Sequence, residues 1–260
     1  GLTATGVVYC WGSNNYGGLG DGTNIDRRAP ALVVGSISFS SISAGNSHTC
    51  GLEGNGAAYC WGLNSSGQLG NGTGVNSNIS VPVTGAHSFT QISSGGDHSC
   101  GLDASGAAYC WGSNSSGQLG DGTTIARTSP VLVSGSKKFA FLSAGQSHTC
   151  GVDINGIAYC WGENSENQLG DGTGTDSSTP VNVDGGHIFT RISSGEGNTC
   201  AIDTNGAAYC WGHSSFGQLG DGTTDDRKSP ELVIGGLSFA QISTRFAHTC
   251  SLDVSGAAYC

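Results

Sequence analysis

The sequence predicts an all-β fold in which four-stranded sheets repeat along the chain, as in a β-propeller. The first observation is a period of 50 residues without insertion or deletion, in which the Tyr-Cys-Trp-Gly of residues 9–12 returns four times. The second is the presence of 46 Gly among 260 residues, at fixed positions that suit tight turns between short strands. The third is that no segment carries the periodicity of an amphipathic helix.

Each repeat centres on a predicted β-hairpin. In residues 100–110, Asp103 and Gly106 occupy the first and fourth positions of a type I turn, with Gly in the left-handed conformation of a G1 bulge. Counting outward from this turn gives the cross-strand pairs Leu102–Ala108, Gly101–Tyr109 and Cys100–Cys110. Directly opposed residues of a non-hydrogen-bonded pair have Cα atoms about 4.5 Å apart, which a disulfide can bridge. On the other face, Tyr109 is expected to cover Gly101.

The same register predicts a disulfide in each hairpin. The expected bridges are Cys50–Cys60, Cys100–Cys110, Cys150–Cys160, Cys200–Cys210 and Cys250–Cys260. A zinc site is the weaker alternative because no C-x₂-C pair occurs. Disulfides indicate an oxidising compartment. Cys10 is unpaired within the chain, so we expect its partner to precede Gly1 or to belong to another copy.

The other strands of the repeat follow a long polar connection. The connection at 11–30 ends at Pro30, and a strand at 31–34 and one with alternating apolar residues at 37–42 come next. We therefore expect a single repeat domain, 1–260, in which residues 1–12 supply the last two strands of a sixth blade. The five complete blades are expected at about 31–62, 81–112, 131–162, 181–212 and 231–260.

The repeat resembles that of the regulator of chromosome condensation (RCC1) family. The resemblance lies in A-A-Y-C-W-G-S-N-S-S-G-Q-L-G-D-G-T, followed by S-P-V-L-V and S-A-G-x-x-H-T-C, and it covers the whole chain. It implies a seven-bladed propeller, of which this chain would hold five blades and part of a sixth. Members include a nucleotide-exchange factor for a small GTPase, plant photoreceptors and a secreted bacterial inhibitor of β-lactamases. The resemblance therefore implies a fold and no single function.

Charge and composition narrow the possible partners. The net charge is −10 and the nine Lys and Arg residues are scattered, which disfavours nucleic acid and anionic membrane surfaces as partners. No run of 18 apolar residues exists, so membrane insertion is not expected. A secreted or extracellular surface location is predicted. Four N-x-S/T sequons would then permit N-glycans, at Asn64, Asn71, Asn78 and Asn114.

Side chains that recur at equal positions are predicted to be scaffold. One set is expected to be buried and bonded to backbone, with a metal site as the weaker alternative: His48, His98, His148 and His248, with Asn198. A second set is expected to serve turns and not calcium: Asp21, Asp121, Asp171 and Asp221, with Asn71. The third is expected to pack between blades, with carbohydrate stacking as the alternative: Trp11, Trp61, Trp111, Trp161 and Trp211.

A functional site should break the repeat in one blade. Arg245 and Phe246 depart most from their equivalents and are a candidate protein contact. No catalytic, cofactor-binding or metal-binding residues are predicted, although a hydrolase is a third hypothesis. The sequence favours a non-enzymatic extracellular module that binds a protein partner or further copies of itself, including as a subunit of a surface or fibrous assembly. The alternative is a guanine-nucleotide exchange factor, as in the founding family member.

Overall fold

The computed structural model describes residues 1–260 and contains 21 β-strands and a short 3₁₀ turn at Asp184–Gly186. The strands form antiparallel sheets in chain order, which we number one to six. No helix is long and apolar enough to cross a membrane. The predicted all-β class and the four-stranded sheet as its repeating unit are confirmed.

Four of the six sheets have four strands, and sheets one and six have two and three strands respectively. Sheet one consists of β1 (Tyr9–Gly12) and β2 (Arg27–Leu32). Sheet two consists of β3 (Phe39–Ala44), β4 (His48–Glu53), β5 (Ala58–Gly62) and β6 (Ser77–Pro82). Sheet three consists of β7 (Phe89–Ser94), β8 (His98–Asp103), β9 (Ala108–Gly112) and β10 (Arg127–Leu132).

The remaining sheets follow the same order. Sheet four consists of β11 (Phe139–Ala144), β12 (His148–Asp153), β13 (Ala158–Gly162) and β14 (Ser177–Asn182). Sheet five consists of β15 (Phe189–Ser194), β16 (Asn198–Asp203), β17 (Ala208–Gly212) and β18 (Arg227–Leu232). Sheet six consists of β19 (Phe239–Arg245), β20 (His248–Asp253) and β21 (Ala258–Tyr259).

The predicted blade boundaries require a correction in the grouping of strands. The strand at 27–32 pairs with β1 through Tyr9↔Leu32 and Gly12↔Arg27, and not with β3. The connection 13–26 folds back so that this strand completes the free edge of the hairpin that precedes it. Each predicted unit, such as 31–62, therefore combines strands from two sheets. Its first strand is the last strand of one sheet, and its other strands are the first three of the next sheet.

The hairpin register is confirmed. In sheet three the opposed pairs are Cys100↔Cys110, Gly101↔Tyr109 and Leu102↔Ala108. Asp103 Oδ1 accepts hydrogen bonds from the amides of Ser105 and Ala107 at 2.8 and 3.0 Å, and Gly106 has φ +82°. A side-chain acceptor at the first turn position and a left-handed glycine at the fourth fix this turn type. The local turn chemistry therefore determines the register.

Each hairpin contains the expected disulfide. The five bridges join Cys50–Cys60, Cys100–Cys110, Cys150–Cys160, Cys200–Cys210 and Cys250–Cys260, with Cα–Cα distances of 4.0 to 4.2 Å. Cys10 is free and half-buried, and burial raises the pKa of its thiol.

We expect removal of one bridge to lower the free energy of unfolding by about 2–3 kcal/mol, because each disulfide closes only a short loop of the unfolded chain. The double variant Cys100→Ala, Cys110→Ala in denaturant unfolding measures this. Non-reducing peptide mapping should find each bridged Cys joined to the one ten residues away, with Cys10 as the alkylated thiol. Free thiols at the other ten positions would contradict the framework.

The ring that covers the hairpin glycine belongs to a different strand from the one predicted. A Cβ on Gly101 would lie 2.6 Å from Cδ1 of Phe89, which is on β7. Tyr109 instead meets Phe89 edge-on, with ring centroids 6.1 Å apart. The first strand of the sheet lies beside β8, and its phenylalanine fills the space that the absent side chain leaves. Gly101 is required, as predicted, but the ring that leaves no room for a side chain there is Phe89 and not Tyr109.

The repeated tryptophans join successive sheets. Trp111 is fully buried, and its Nε1–H donates to the carbonyl of Gln68 in the preceding sheet at 2.9 Å. A Cβ on Gly70 would lie 2.6 Å from the same nitrogen, so the preceding loop must carry glycine there. Trp161 and Trp211 are buried and bonded in the same way, whereas Trp61 is buried but its Nε1 has no hydrogen-bond partner. Trp11 is 55% exposed.

The first strands of sheets two to six surround a common axis. β3, β7, β11, β15 and β19 each contact the next one in this order. The amide of Ser94 donates to Ser43 Oγ at 2.9 Å, and the same bond joins Ala144 to Ser93. The turns that follow these strands therefore meet at one end of the axis, which we call the axial face.

Candidate functional site

Three of the four repeated histidines are buried, but they contact side-chain hydroxyls of the next sheet and not the backbone. The Nε2 atoms of His48, His98 and His148 lie 2.8–2.9 Å from the hydroxyls of Ser99, Thr149 and Thr199. Each of these hydroxyls donates to a backbone carbonyl, as Ser99 does to Gln68. Nε2 must therefore be the protonated nitrogen that donates to the hydroxyl. Each of these three imidazoles therefore connects its own sheet to the next one.

Burial lowers the pKa of these imidazoles. The pKa falls to about 4 for His48 and to about 3 for His98 and His148. Arg245 adds to the effect at His48, and the two neighbouring imidazoles add to it at His98. The three rings are consequently neutral near pH 7. His248 is exposed, and the side chain of Asn198 has no hydrogen-bond partner.

The Ser99–His48 pair superficially resembles a hydrolase pair. Ser99 is fully buried and its hydroxyl donates to the Gln68 carbonyl at 3.0 Å, so it is inaccessible to substrate. The same arrangement recurs with Thr149 and Thr199. This pair is therefore scaffold.

The repeated aspartates serve turns. Asp121 Oδ1 accepts from the amide and hydroxyl of Thr123, and its Oδ2 pairs with Arg127 at 2.9 Å. Burial alone would raise the pKa of Asp121, but the bonds from Thr123 and Arg127 outweigh it and the pKa is lowered. Because its own loop occupies both oxygens, this carboxylate is committed to turn structure.

The structure is incompatible with glycans at two of the four predicted glycosylation sites. Asn64 is fully buried, and its Nδ2 donates to the carbonyls of Thr73 and Val75 at 3.0 Å. Asn114 is buried and bonded in the same way. A glycan on Nδ2 would displace these bonds, so neither residue can carry one in the folded chain. Asn71 and Asn78 are partly exposed and stay predictions.

Side chains that differ between repeats meet at the axial face. One position in the turn after each first strand carries a different residue in every repeat: Asn46, Gly96, Gln146, Glu196 and Phe246. Asn46 Nδ2 donates across the axis to Gln146 Oε1 at 2.8 Å. The cavity that these turns enclose measures about 20 Å³, which holds little more than a water molecule. The axis itself is therefore closed to larger ligands, and contacts must form on the surface around it.

Arg245 and Phe246 lie on this face, and Arg245 stands where the other repeats have glycine. A Cβ on the equivalent Gly45 would lie 2.5 Å from Cε1 of His48, so a side chain there cannot coexist with a buried imidazole. In sheet six, where no further sheet covers the turn, His248 is exposed and Phe246 takes φ +51°. Arg245 reaches the carbonyl of Ala44 at 3.3 Å, and 61% of Phe246 is exposed.

A larger cavity of about 480 Å³ adjoins Phe246 and involves sheets four, five and six. Glu163, Glu166 and Glu196 line it, together with His213 and the side chain of Phe216, which is 75% exposed. Sequence reasoning did not single out these residues. The sequence does mark them as departures from the repeat. The positions of Glu166 and His213 are occupied by Ser66 and Ser113 two repeats earlier.

The stacked four-stranded sheets, their shared axis and the tryptophans between them define a β-propeller. A family model described as "RCC1-like domain" matches residues 1–259. The chain belongs to the RCC1-like domain family. No curated protein sequence shows a significant match to the chain.

Solved structures share the fold at low sequence identity. Human WBSCR16 is 21% identical with a TM-score of 0.87, over 97% of this chain and 68% of that one. Prp20p of Saccharomyces cerevisiae, whose structure is described with its binding to Gsp1p and histones, is 22% identical with a TM-score of 0.87, over 99% and 66%. The ectodomain of the Physcomitrella patens receptor kinase CR4 is 23% identical with a TM-score of 0.61, over 98% and 55%. The chain thus spans about two thirds or less of these proteins.

Proposed function

We propose that this chain is a non-enzymatic, extracellular module that binds a protein partner through its axial face. The observation that carries the proposal is the concentration of unrepeated, exposed side chains there, with Phe216 and Phe246 beside the 480 Å³ cavity. Exposed aromatic groups next to a concave surface are the usual anchors of protein interfaces. The scaffold residues, by contrast, repeat and are buried.

Three observations support an extracellular location. Each complete sheet holds a disulfide, and such bridges persist in oxidising compartments. The partly exposed Asn71 and Asn78 lie in glycosylation sequons. The structure of the CR4 ectodomain has the same fold, and an ectodomain is extracellular. The scattered basic residues and the net charge of −10 disfavour nucleic acid as the partner.

The charge of the cavity specifies the partner further. Glu163, Glu166 and Glu196 line its wall, whereas Arg245 is already bonded to Ala44 and Asn46. Charge complementarity across interfaces favours a partner surface that carries Lys or Arg next to apolar groups. A further copy of this chain is the other candidate partner, as in a surface or fibrous assembly.

Replacement of both phenylalanines should abolish partner binding and leave the fold intact, because both side chains are largely exposed. The double variant Phe216→Ala, Phe246→Ala is compared with the wild type by affinity capture from secreted proteins and by sedimentation velocity of the chain alone. Ile125→Ala is the matched control, since Ile125 is 61% exposed and lies away from the cavity. Truncation of an interface anchor typically costs 2 kcal/mol or more, about thirtyfold in affinity.

Equal capture by the double variant and the control would place the binding surface elsewhere. Sedimentation that shows association of the wild type, but not of the double variant, would identify the partner as another copy.

Guanine-nucleotide exchange is the competing function, and its support is the family resemblance. A cytosolic or nuclear exchange factor would not be expected to carry five disulfides, one in each of sheets two to six. Release of labelled nucleotide from a small GTPase, measured under reducing conditions, would favour this alternative. We expect no acceleration.

A further inference from the structure

Three potential metal ligands meet between sheets four and five. Glu166 lies in the connection after β13, His213 directly follows β17, and Asp226 ends the connection that His213 begins. One ligand atom from each of the three side chains lies within 4.8 Å of the other two. His213 Nδ1 is 3.1 Å from Glu166 Oε2 and 3.4 Å from Asp226 Oδ1.

The imidazole nitrogen of this trio is unexplained by hydrogen bonding. His213 Nδ1 is inaccessible to solvent and has no hydrogen-bond partner, so neither carboxylate contact has hydrogen-bond geometry. Two carboxylate oxygens close to an unpartnered ring nitrogen are, however, the arrangement of ligands around a cation. With Zn–N and Zn–O bonds of about 2.0–2.2 Å, the edge of a tetrahedron is about 3.3–3.6 Å. The observed distances of 3.1 and 3.4 Å are close to this edge.

The repeat is broken at several positions to assemble this trio. Gly197 lies against both ligands, because a Cβ there would be 3.3 Å from His213 Cβ and 3.4 Å from Glu166 Cβ. The equivalent positions carry larger residues: Ser47, Asp97, Ser147 and Ala247. Glu166 and His213 are also unmatched at their own positions in the other repeats. Glycine at 197 therefore provides the space that lets the two ligands approach.

The backbone pre-positions two of the ligands. The amide of His213 donates to the carbonyl of Gly197 at 2.9 Å, which fixes the start of the connection. Asp226 Oδ1, the oxygen that lies 3.4 Å from His213 Nδ1, accepts from the amide of Ser214 at 2.7 Å, which holds it in place. Glu166 is about half exposed at its side chain and can adjust to an ion.

We propose that Glu166, His213 and Asp226 form a binding site for a divalent transition metal ion of the zinc class, which joins sheet four to sheet five. One imidazole with two carboxylates suits Zn²⁺, whereas Ca²⁺ and Mg²⁺ prefer oxygen ligands alone. The fourth position would be taken by water. The sequence alone predicted no metal site, and this inference does not depend on the proposed protein-binding function.

The test is a titration of zinc chloride into the intact, disulfide-bonded chain after removal of metal with a chelator. Because a free cysteine thiol is itself a potential zinc ligand, the titration uses the Cys10→Ser background. We expect one zinc ion per chain by calorimetry, with no competition from magnesium chloride. His213→Ala should weaken binding by at least about tenfold, as loss of groups at metal sites commonly does.

Two further variants separate ligation from folding. Asp226→Asn keeps an oxygen that can accept from Ser214 but removes the charge, and Glu166→Gln changes a half-exposed side chain. Both should also weaken zinc binding by at least about tenfold, with unchanged circular dichroism. His87→Ala is the matched control, since this ring is partly exposed and lies tilted against Tyr109, with ring centroids 4.3 Å apart. It should bind zinc as the parent does.

Failure of the proposal has definite signatures. Absence of a saturable one-to-one heat change overturns it, as does equal zinc affinity in His213→Ala and His87→Ala. Loss of zinc binding on Cys10→Ser alone also overturns it, because the ion would then be held by the thiol.

Discussion

Replacement of Trp111 by alanine is expected to lower the free energy of unfolding by roughly 3–5 kcal/mol. The indole is fully buried between sheets two and three, and its centroid lies 5.9 Å from that of Phe89. Its loss leaves a cavity and removes one of the two donors to the buried carbonyl of Gln68, which keeps the hydroxyl of Ser99. Denaturant unfolding followed by circular dichroism measures the change.

Trp11→Ala is the matched control for this substitution. Trp11 occupies the same position of the repeat, but 55% of it is exposed in this chain. Substitutions of exposed residues usually change stability by less than about 0.5 kcal/mol. Similar, small effects of the two substitutions would show that Trp111 does not join the sheets, and would favour the alternative that these rings stack on carbohydrate.

Local features of the fold could be predicted from the sequence because their determinants are adjacent in the chain. The register of Cys100 against Cys110 follows from Asp103 and Gly106, which form the turn between them. Comparison of equivalent positions in the 50-residue repeat also distinguished scaffold residues, which recur as Trp111 does, from residues that do not recur, such as Phe246.

Features that depend on distant pairing could not be predicted in the same way. Which hairpin the strand at 27–32 joins is decided by a 14-residue connection that carries no register signal. The hydroxyl partner of His48 is 51 residues away, in the next sheet. The trio of Glu166, His213 and Asp226 unites two connections of different sheets. Each of these contacts requires the stacking of the sheets to be known.

The buried imidazoles should make the protein acid-labile in a pH range where its carboxylates stay ionised. His48, His98 and His148 have pKa values of about 4, 3 and 3 in the folded chain, against about 6.5 in the unfolded chain. Their Nε2–H groups already donate to hydroxyls, and protonation would place a second N–H at Nδ1, which has no partner. The folded state therefore resists protonation.

Stability should consequently fall as the pH drops below 6.5, because the unfolded chain then binds protons that the folded chain does not. At 1.36 kcal/mol per pH unit, each imidazole contributes a loss of about 2 kcal/mol between pH 7 and pH 5, or about 6 kcal/mol for the three. The aspartates contribute in a lower range: the pKa of Asp21, Asp121 and Asp221 is lowered, so their contribution is present above about pH 4 and is lost below it.

His98→Asn tests this mechanism, because Asn198 occupies the equivalent position in a folded sheet. The variant should lose about a third of the difference in unfolding free energy between pH 7 and pH 5, measured by denaturant unfolding at constant ionic strength. His87→Asn, a change at a partly exposed ring, should keep the full difference. An unfolding free energy that is flat between pH 7 and pH 5 in the wild type would show that the three imidazoles can be protonated within the fold. The hydrogen bonds that they make to the next sheet would then not require the neutral ring.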